Sequence, residues 1–124
     1  MSDNIDLCLA RLQDLAGFIG VGLVDEQTGF LMGQIQAEHN TLNLQLAAAV
    51  NTEVVRSKRL AIKTLRLDDT IEDILITLGK HYHLIRPSRV RPNLFFYLAL
   101  DKARANLALA RMMLNEAEEE LSIS

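Results

Sequence analysis

The sequence predicts an α+β fold: a five-stranded, mainly antiparallel sheet with helices on both faces, in the order α-β-β-α-β-β-β-α. Three observations carry this reading. In GFIGVGLVDEQTGFLMGQ, two apolar segments flank the polar centre Asp25 to Gly29, which is a hairpin pattern. Residues 93–100, NLFFYLAL, form an almost unbroken apolar run, as a central strand buried on both faces requires. Between Asn40 and Thr52 there is no charge, whereas a helix packed on one side only shows a charged outer face.

In chain order, Ser2 or Asp3 can cap a first helix. Ile5, Leu9, Leu12 and Ala16 then share one face, and Gly17 ends it. The hairpin strands are expected at residues 18–24 and 30–36, and Thr28-Gly29 supplies the turn position that tolerates positive φ. Gly20, Gly22 and Gly33 lie within these strands, where glycine marks a bulge or the close approach of another backbone. The second helix begins at Asn40 or Thr41 and runs to residue 60. Leu42, Leu46, Val50 and Val54 form one ridge on it, with Ala49 alongside; Leu44, Ala48 and Val55 form another, well around the cylinder. A helix of this kind is covered on two sides.

Three strands follow. Residues 70–78 and 81–86 are joined by the tight Gly79-Lys80 turn, and 93–100 come after the proline-bracketed loop PSRVRP. Asp101 caps a last helix, in which Ala103, Leu107, Ala110, Leu114, Ala117 and Leu121 repeat at 4-3-4-3-4 spacing. Its acidic end, Glu116, Glu118, Glu119 and Glu120, meets an unfavourable helix dipole, so fraying is expected there. The central helix should cover one face of the sheet and the two terminal helices the other.

The chain of 124 residues is read as a single domain, 1–124, with 49% hydrophobic and 23% charged residues, a globular composition. A net charge of −3 and only 5% aromatics without Trp argue against a nucleic-acid partner. The single cysteine, Cys8, excludes an internal disulfide and fits the reducing cytoplasm. The start MSDNID lacks a basic signal pattern, and the apolar run 15–24 is too short to span a bilayer. The expectation is a cytoplasmic protein without membrane insertion.

The stretches GVGLVDEQTGFLMG, ILITLGKHYHLIRP and LALDKARANLALARMML, together with the element order, resemble the Roadblock family, the dynein-light-chain-like domains also found in bacteria. The family's VDxxG hairpin falls at Val24-Asp25 with Gly29, and its closing helix pattern at Asn106 to Arg111. The resemblance implies a dimer, of the chain with itself or with a paralogue. Two sheets would join through the third strand, which puts Ile71, Asp73 and Leu75 at the interface. The two central helices would lie antiparallel, with Leu42, Leu44, Leu46, Ala48, Val50 and Val55 divided between core and interface. Many members scaffold or regulate Ras-like small GTPases, which makes a small GTPase the implied partner. The hairpin is then half of the sheet beneath the central helix, and its role is structural.

No residue set in the sequence points to catalysis, and no cofactor or metal is expected. His81 and His83 alternate on a strand and share a face, but His39 and Cys8 are too distant in sequence to complete a metal site. Cys8 has no histidine or basic neighbour in its helix pattern to lower its pKa, and reads as a residue at the edge of the core. There is no G-x-x-x-x-G-K-[ST] loop, the glycines at 20 and 22 fail the dinucleotide spacing, and nothing separates the adjacent acids Asp25 and Glu26 in pKa. The arginines stand out. Arg86, Arg89 and Arg91 on the PSRVRP loop suit phosphate or an acidic protein surface. Arg56, Lys58 and Arg59 end the central helix, where cations also suit the dipole. Together they are candidates for partner binding, weighed against a solvated basic edge. Two function classes result: a non-enzymatic dimeric scaffold docking a small GTPase across the paired helices, or a ligand-sensing module whose pocket would draw on Tyr82, Tyr97 and His83. Nucleic-acid binding through the arginine loop is a weaker third.

Overall fold

The computed structural model describes residues 3–123. Its elements are α1 (Ile5–Leu12), β1 (Phe18–Asp25), β2 (Leu31–Gln36), α2 (Leu44–Thr64), β3 (Ile74–Thr77), β4 (His81–Pro87), β5 (Leu94–Asp101) and α3 (Leu107–Glu120). The strands form one sheet in the order β2-β1-β5-β4-β3, with every pairing antiparallel. The predicted fold class and element order are those observed.

The apolar run of β5 occupies the middle of the sheet, and its alternation feeds two cores. Leu94, Phe96, Leu98 and Leu100 pack with α1 and α3, while Phe95, Tyr97 and Ala99 pack beneath α2. Successive side chains of a strand point to opposite faces, so a strand apolar at every position needs a layer on each side. The α1/α3 core takes Ile5, Leu9 and Leu12 from one helix and Ala110, Leu114 and Ala117 from the other, the latter being the predicted stripe.

β1 departs from simple alternation. Its register against β5 shifts between Phe18 and Gly20, so Ile19 and Gly20 both face α2. A Cβ at Gly20 would lie 3.3 Å from both methyls of Leu44, and one at Gly33 only 2.6 Å from Cγ2 of Ile5. These glycines admit side chains of the covering helices rather than another backbone. The hairpin turn behaves as predicted, with Gly29 at φ +78°.

Several element boundaries are corrected. α1 ends at Leu12, four residues before the predicted face runs out, and Ala16 is exposed. Its cap position is Asn4, which makes no side-chain cap; it accepts instead from the Ser122 amide (2.7 Å) and donates to the Glu120 carbonyl (2.6 Å). Ser2 lies outside the described residues. α2 starts later than predicted because Asn40 spends its side chain on a turn, accepting from the Leu42 amide (2.8 Å), while Asn43 caps the helix through the Leu46 amide (3.0 Å). β3 is four residues long, so Ile71 and Asp73 precede it. Asp101 ends β5 and accepts from the Ala103 amide in a turn; Asn106 is the cap of α3.

The acidic end of α3 is regular through Glu120, because two of its acids meet cations from other elements. Glu120 pairs with Arg11 of α1 at 2.8 Å, and Glu118 is buried against Arg86 of β4 at 2.9 Å. These contacts offset the dipole that the sequence alone counts against the helix end.

Candidate protein-docking surface

α2 carries one face turned to its sheet and an apolar ridge turned outward. Leu44, Ala47, Ala48, Asn51, Thr52 and Val55 face its own sheet and are buried. The two buried polar residues return their hydrogens to the helix: Asn51 Nδ2 to the Ala47 carbonyl (2.8 Å) and Thr52 Oγ1 to the Ala48 carbonyl (2.7 Å). On the opposite side Leu46 is 59% exposed and Val50 54%. Leu42 and Val54, at the ends of the same ridge, are partly buried against the core. The two ridges read from the sequence thus part: Leu44, Ala48 and Val55 go to the core, Leu46 and Val50 to the surface. Phe30, 74% exposed beside the hairpin turn, lines a hollow of about 520 Å3 with Gln45 and Ala49 on the same flank of α2. Nothing in the spacing identified Phe30, because a strand-edge aromatic looks the same in sequence whether it points in or out.

The cations of α2 are not at its end, since the helix continues to Thr64. Arg56 donates to the carbonyls of Glu26 (3.0 Å) and Gln27 (2.9 Å) and pairs with Glu53 (2.8 Å). Arg59 pairs with Glu26 at 2.9 Å. Both therefore clamp the β1–β2 turn onto the helix. Lys58 is exposed, with no ion-pair partner among the described residues.

The loop arginines divide in the same way. Arg86 lies within β4, not on the loop, and is buried: Nε bonds Glu118 and Nη2 bonds Asn115 Oδ1 at 2.8 Å. It is spent inside the fold and offers nothing to a partner. Arg91 turns toward the chain end, donating to the Ile123 carbonyl at 3.3 Å. Arg89 is exposed. At the sheet margin, β3 is the outermost strand on one side. Leu75 packs partly against the α1/α3 core, Ile71 is half-buried, and Asp73 receives a two-pronged bond from Arg111 of α3 (2.8 and 3.3 Å). That bond holds the Arg111 guanidinium protonated to still higher pH, chiefly through the hydrogen bond itself.

His81 and His83 share one face of β4 as predicted, with ring centroids 5.6 Å apart. His83 Nδ1 lies 3.1 Å from the Tyr97 hydroxyl, while its Nε2 is buried without a partner among the described residues. Burial, then the neighbouring His81, pulls the His83 pKa down; burial pushes the Tyr97 hydroxyl up to about 12. Among the described residues no group of three His, Cys, Asp or Glu is placed to hold a metal ion. Tyr82 faces the other core, under Lys102, so the three polar groups named for a ligand pocket do not converge. Cys8 lies within the core rather than at its edge, and it does have a basic helix neighbour, Arg11 one turn on; burial, with Glu120, raises its thiol pKa against the opposing pull of Arg11. That is the reverse of nucleophile activation. Among the described residues no helix is long and apolar enough to cross a membrane.

No protein-family model matches the chain, and no curated protein sequence matches it either. Solved structures do. MglB of Myxococcus xanthus superposes with a TM-score of 0.80 at 19% identity, covering 94% of this chain and 90% of that one. A Roadblock/LC7 domain from Streptomyces avermitilis superposes with a TM-score of 0.77 at 9% identity, covering 92% and 91%. The chain has a Roadblock-like fold. The gliding protein MglB of Thermus thermophilus shares it, with a TM-score of 0.78 at 14% identity over 94% of this chain and 84% of that one. Identities this low leave the fold as the common element.

Proposed function

We propose that the protein is a non-enzymatic cytoplasmic scaffold that pairs with a second copy of itself, or with a paralogue, and docks a Ras-like small GTPase across its paired α2 helices. The observation that carries this reading is the uncharged outward ridge of α2, where Leu46 and Val50 stand in water in the first half of the helix. The outermost position of β3 supports it, since an unpaired strand edge is a template for a second chain. Leu75 lies on that strand, and Ile71 and Asp73, the latter held by Arg111, come just before it. In this arrangement the two ridges pack together, and the cations of α2 rim the platform. Apolar contacts at the centre and charges at the rim are the usual plan of such interfaces.

Burying one leucine contributes about 1.5–3 kcal/mol, so packing the ridge against its twin favours pairing. Sedimentation should give a dimer at micromolar concentration for the wild type and a monomer for the Leu46→Asp/Val50→Asp variant. A wild-type monomer would sink the reading. For the partner, Lys58 is the position to reverse, because Arg56 and Arg59 also hold the hairpin turn. Lys58→Glu should slow association with a GTP-loaded Ras-like GTPase from the same genome at low salt and leave the dimer intact. An unchanged association rate would move the docking surface elsewhere.

A further inference from the structure

We propose that the hollow between the C-terminal half of α2 and the β4–β5 loop is a receptor for one aspartate or glutamate side chain of a partner protein, gripped between Arg59 and Arg89. The hollow has a volume of about 340 Å3; Ile71, Pro87 and Pro92 contribute its apolar wall and the two arginines its charge. All of its lining belongs to a single chain, and Arg59 and Ile71 are shared with the rim and the strand margin named above, so the site borders the proposed pairing surface without drawing residues from the second copy.

The charge is available. Arg59 uses Nε on Glu26, and neither of its Nη groups is bonded among the described residues. The Arg89 guanidinium has no acceptor among the described residues; only its backbone amide is bonded, to Glu118. The other two arginines of this segment are turned inward, Arg86 in its buried pair and Arg91 with Nη2 on the Ile123 carbonyl and Nε buried without a partner among the described residues. Of the basic loop, one side chain is left to recognise something outside.

The loop that carries Arg89 is pre-set. Ser88 Oγ accepts from the Arg91 amide (2.9 Å), the Ser88 amide donates to the Leu94 carbonyl (2.9 Å), and the Leu94 amide donates to the Arg91 carbonyl (2.9 Å). Glu118, fixed by buried Arg86, anchors the Arg89 amide from below. A receptor held rigid before binding loses less entropy when it is filled.

The donor set selects the ligand. Prolines present no N–H; besides the two guanidinium forks the lining offers the hydroxyls of Thr70 and Ser88, the latter already accepting from the Arg91 amide. The charged donors are the guanidinium forks, which match the two oxygens of a carboxylate. With the Arg59 charge already met by Glu26, the hollow keeps a net charge of about one, which balances a carboxylate and falls short of a phosphoryl group with close to two charges. The apolar wall suits an aliphatic residue beside the acid, which places the carboxylate on a protein segment rather than on a free metabolite.

The probe is an acetylated, amidated Val-Asp-Val-Asp peptide, titrated into the full chain and followed by NMR of arginine Nε–Hε and isoleucine methyl signals. Saturable shifts at Arg59, Arg89 and Ile71 are expected, and none with the Val-Asn-Val-Asn counterpart. Arg89→Ala should weaken binding by about tenfold or more, the loss expected for one charged hydrogen-bonded contact. Arg104→Ala, which removes the same charge at the opposite end of the sheet, should leave it unchanged. Equal losses in both variants, shifts spread over all cations, or tighter binding of inorganic phosphate than of the peptide would each overturn the proposal.

Discussion

Replacing Glu118 by alanine removes the acceptor for two groups at once, the buried Arg86 guanidinium and the Arg89 amide. The side chains of Arg86 and Glu118 are 8% and 4% exposed, so water does not replace what is lost. Breaking a buried pair by deleting one partner typically costs about 3–5 kcal/mol, because the remaining charge stays desolvated. Arg86 keeps one bond, to Asn115, which places the expected loss toward about 3 kcal/mol. For a domain of this size that is a fall in melting temperature of about 10 °C. The double variant Arg86→Met/Glu118→Met removes both charges and should recover most of the loss, since a well-packed apolar pair can equal a buried ion pair. Urea unfolding of wild type, single and double variants at one protein concentration gives the three values, the fixed concentration guarding against linkage to assembly. A loss below about 1 kcal/mol in the single variant, or a double variant no better than the single, would refute the reasoning.

Gly33→Ala should destabilise by about 1–3 kcal/mol, read from the same unfolding curves, because its Cβ would arrive 2.6 Å from Ile5 Cγ2 and push α1 off the sheet. Stability should also depend on pH through His83. Its folded pKa lies below its ordinary value of 6.5, so the unfolded chain binds more protons on acidification. The contribution is complete above about pH 6.5 and is lost as pH falls below it; melting temperatures from pH 7.5 to 5.5 should therefore fall less steeply for His83→Gln than for wild type.

The parts of the fold that could be read from sequence are those where the burial requirement repeats along the chain. The apolar run of β5 and the 4-3 stripe of α3 each declare their layers, and the uncharged span of α2 separates into one buried and one exposed ridge. Helix starts were misplaced where two candidate caps compete. Asn40 and Asn43 are chemically equal, and so nearly are Asp101 and Asn106; only the tertiary turn decides which one caps. The polar contacts that define the candidate site were illegible for another reason. Arg86 and Glu118 are 32 positions apart, and Arg56 reaches back 30 positions to the Glu26 carbonyl. Partners at such separations leave no local period, so the basic cluster read as a free surface when much of it is internal clamp.

The bond set joining Asn4 to Glu120 and Ser122 has a consequence for how the molecule is addressed from outside. The amide and the side chain of Asn4 both take part in that set, with the Asn4 amide donating to the Ser122 carbonyl at 3.1 Å. The first and last described stretches of the chain are thereby knotted together in the α1/α3 layer, on the side of the sheet away from α2. A label placed on either of these stretches sits on that rear layer. The ridge of Leu46 and Val50 is on the other face, so the protein can be labelled there while α2 is left uncovered.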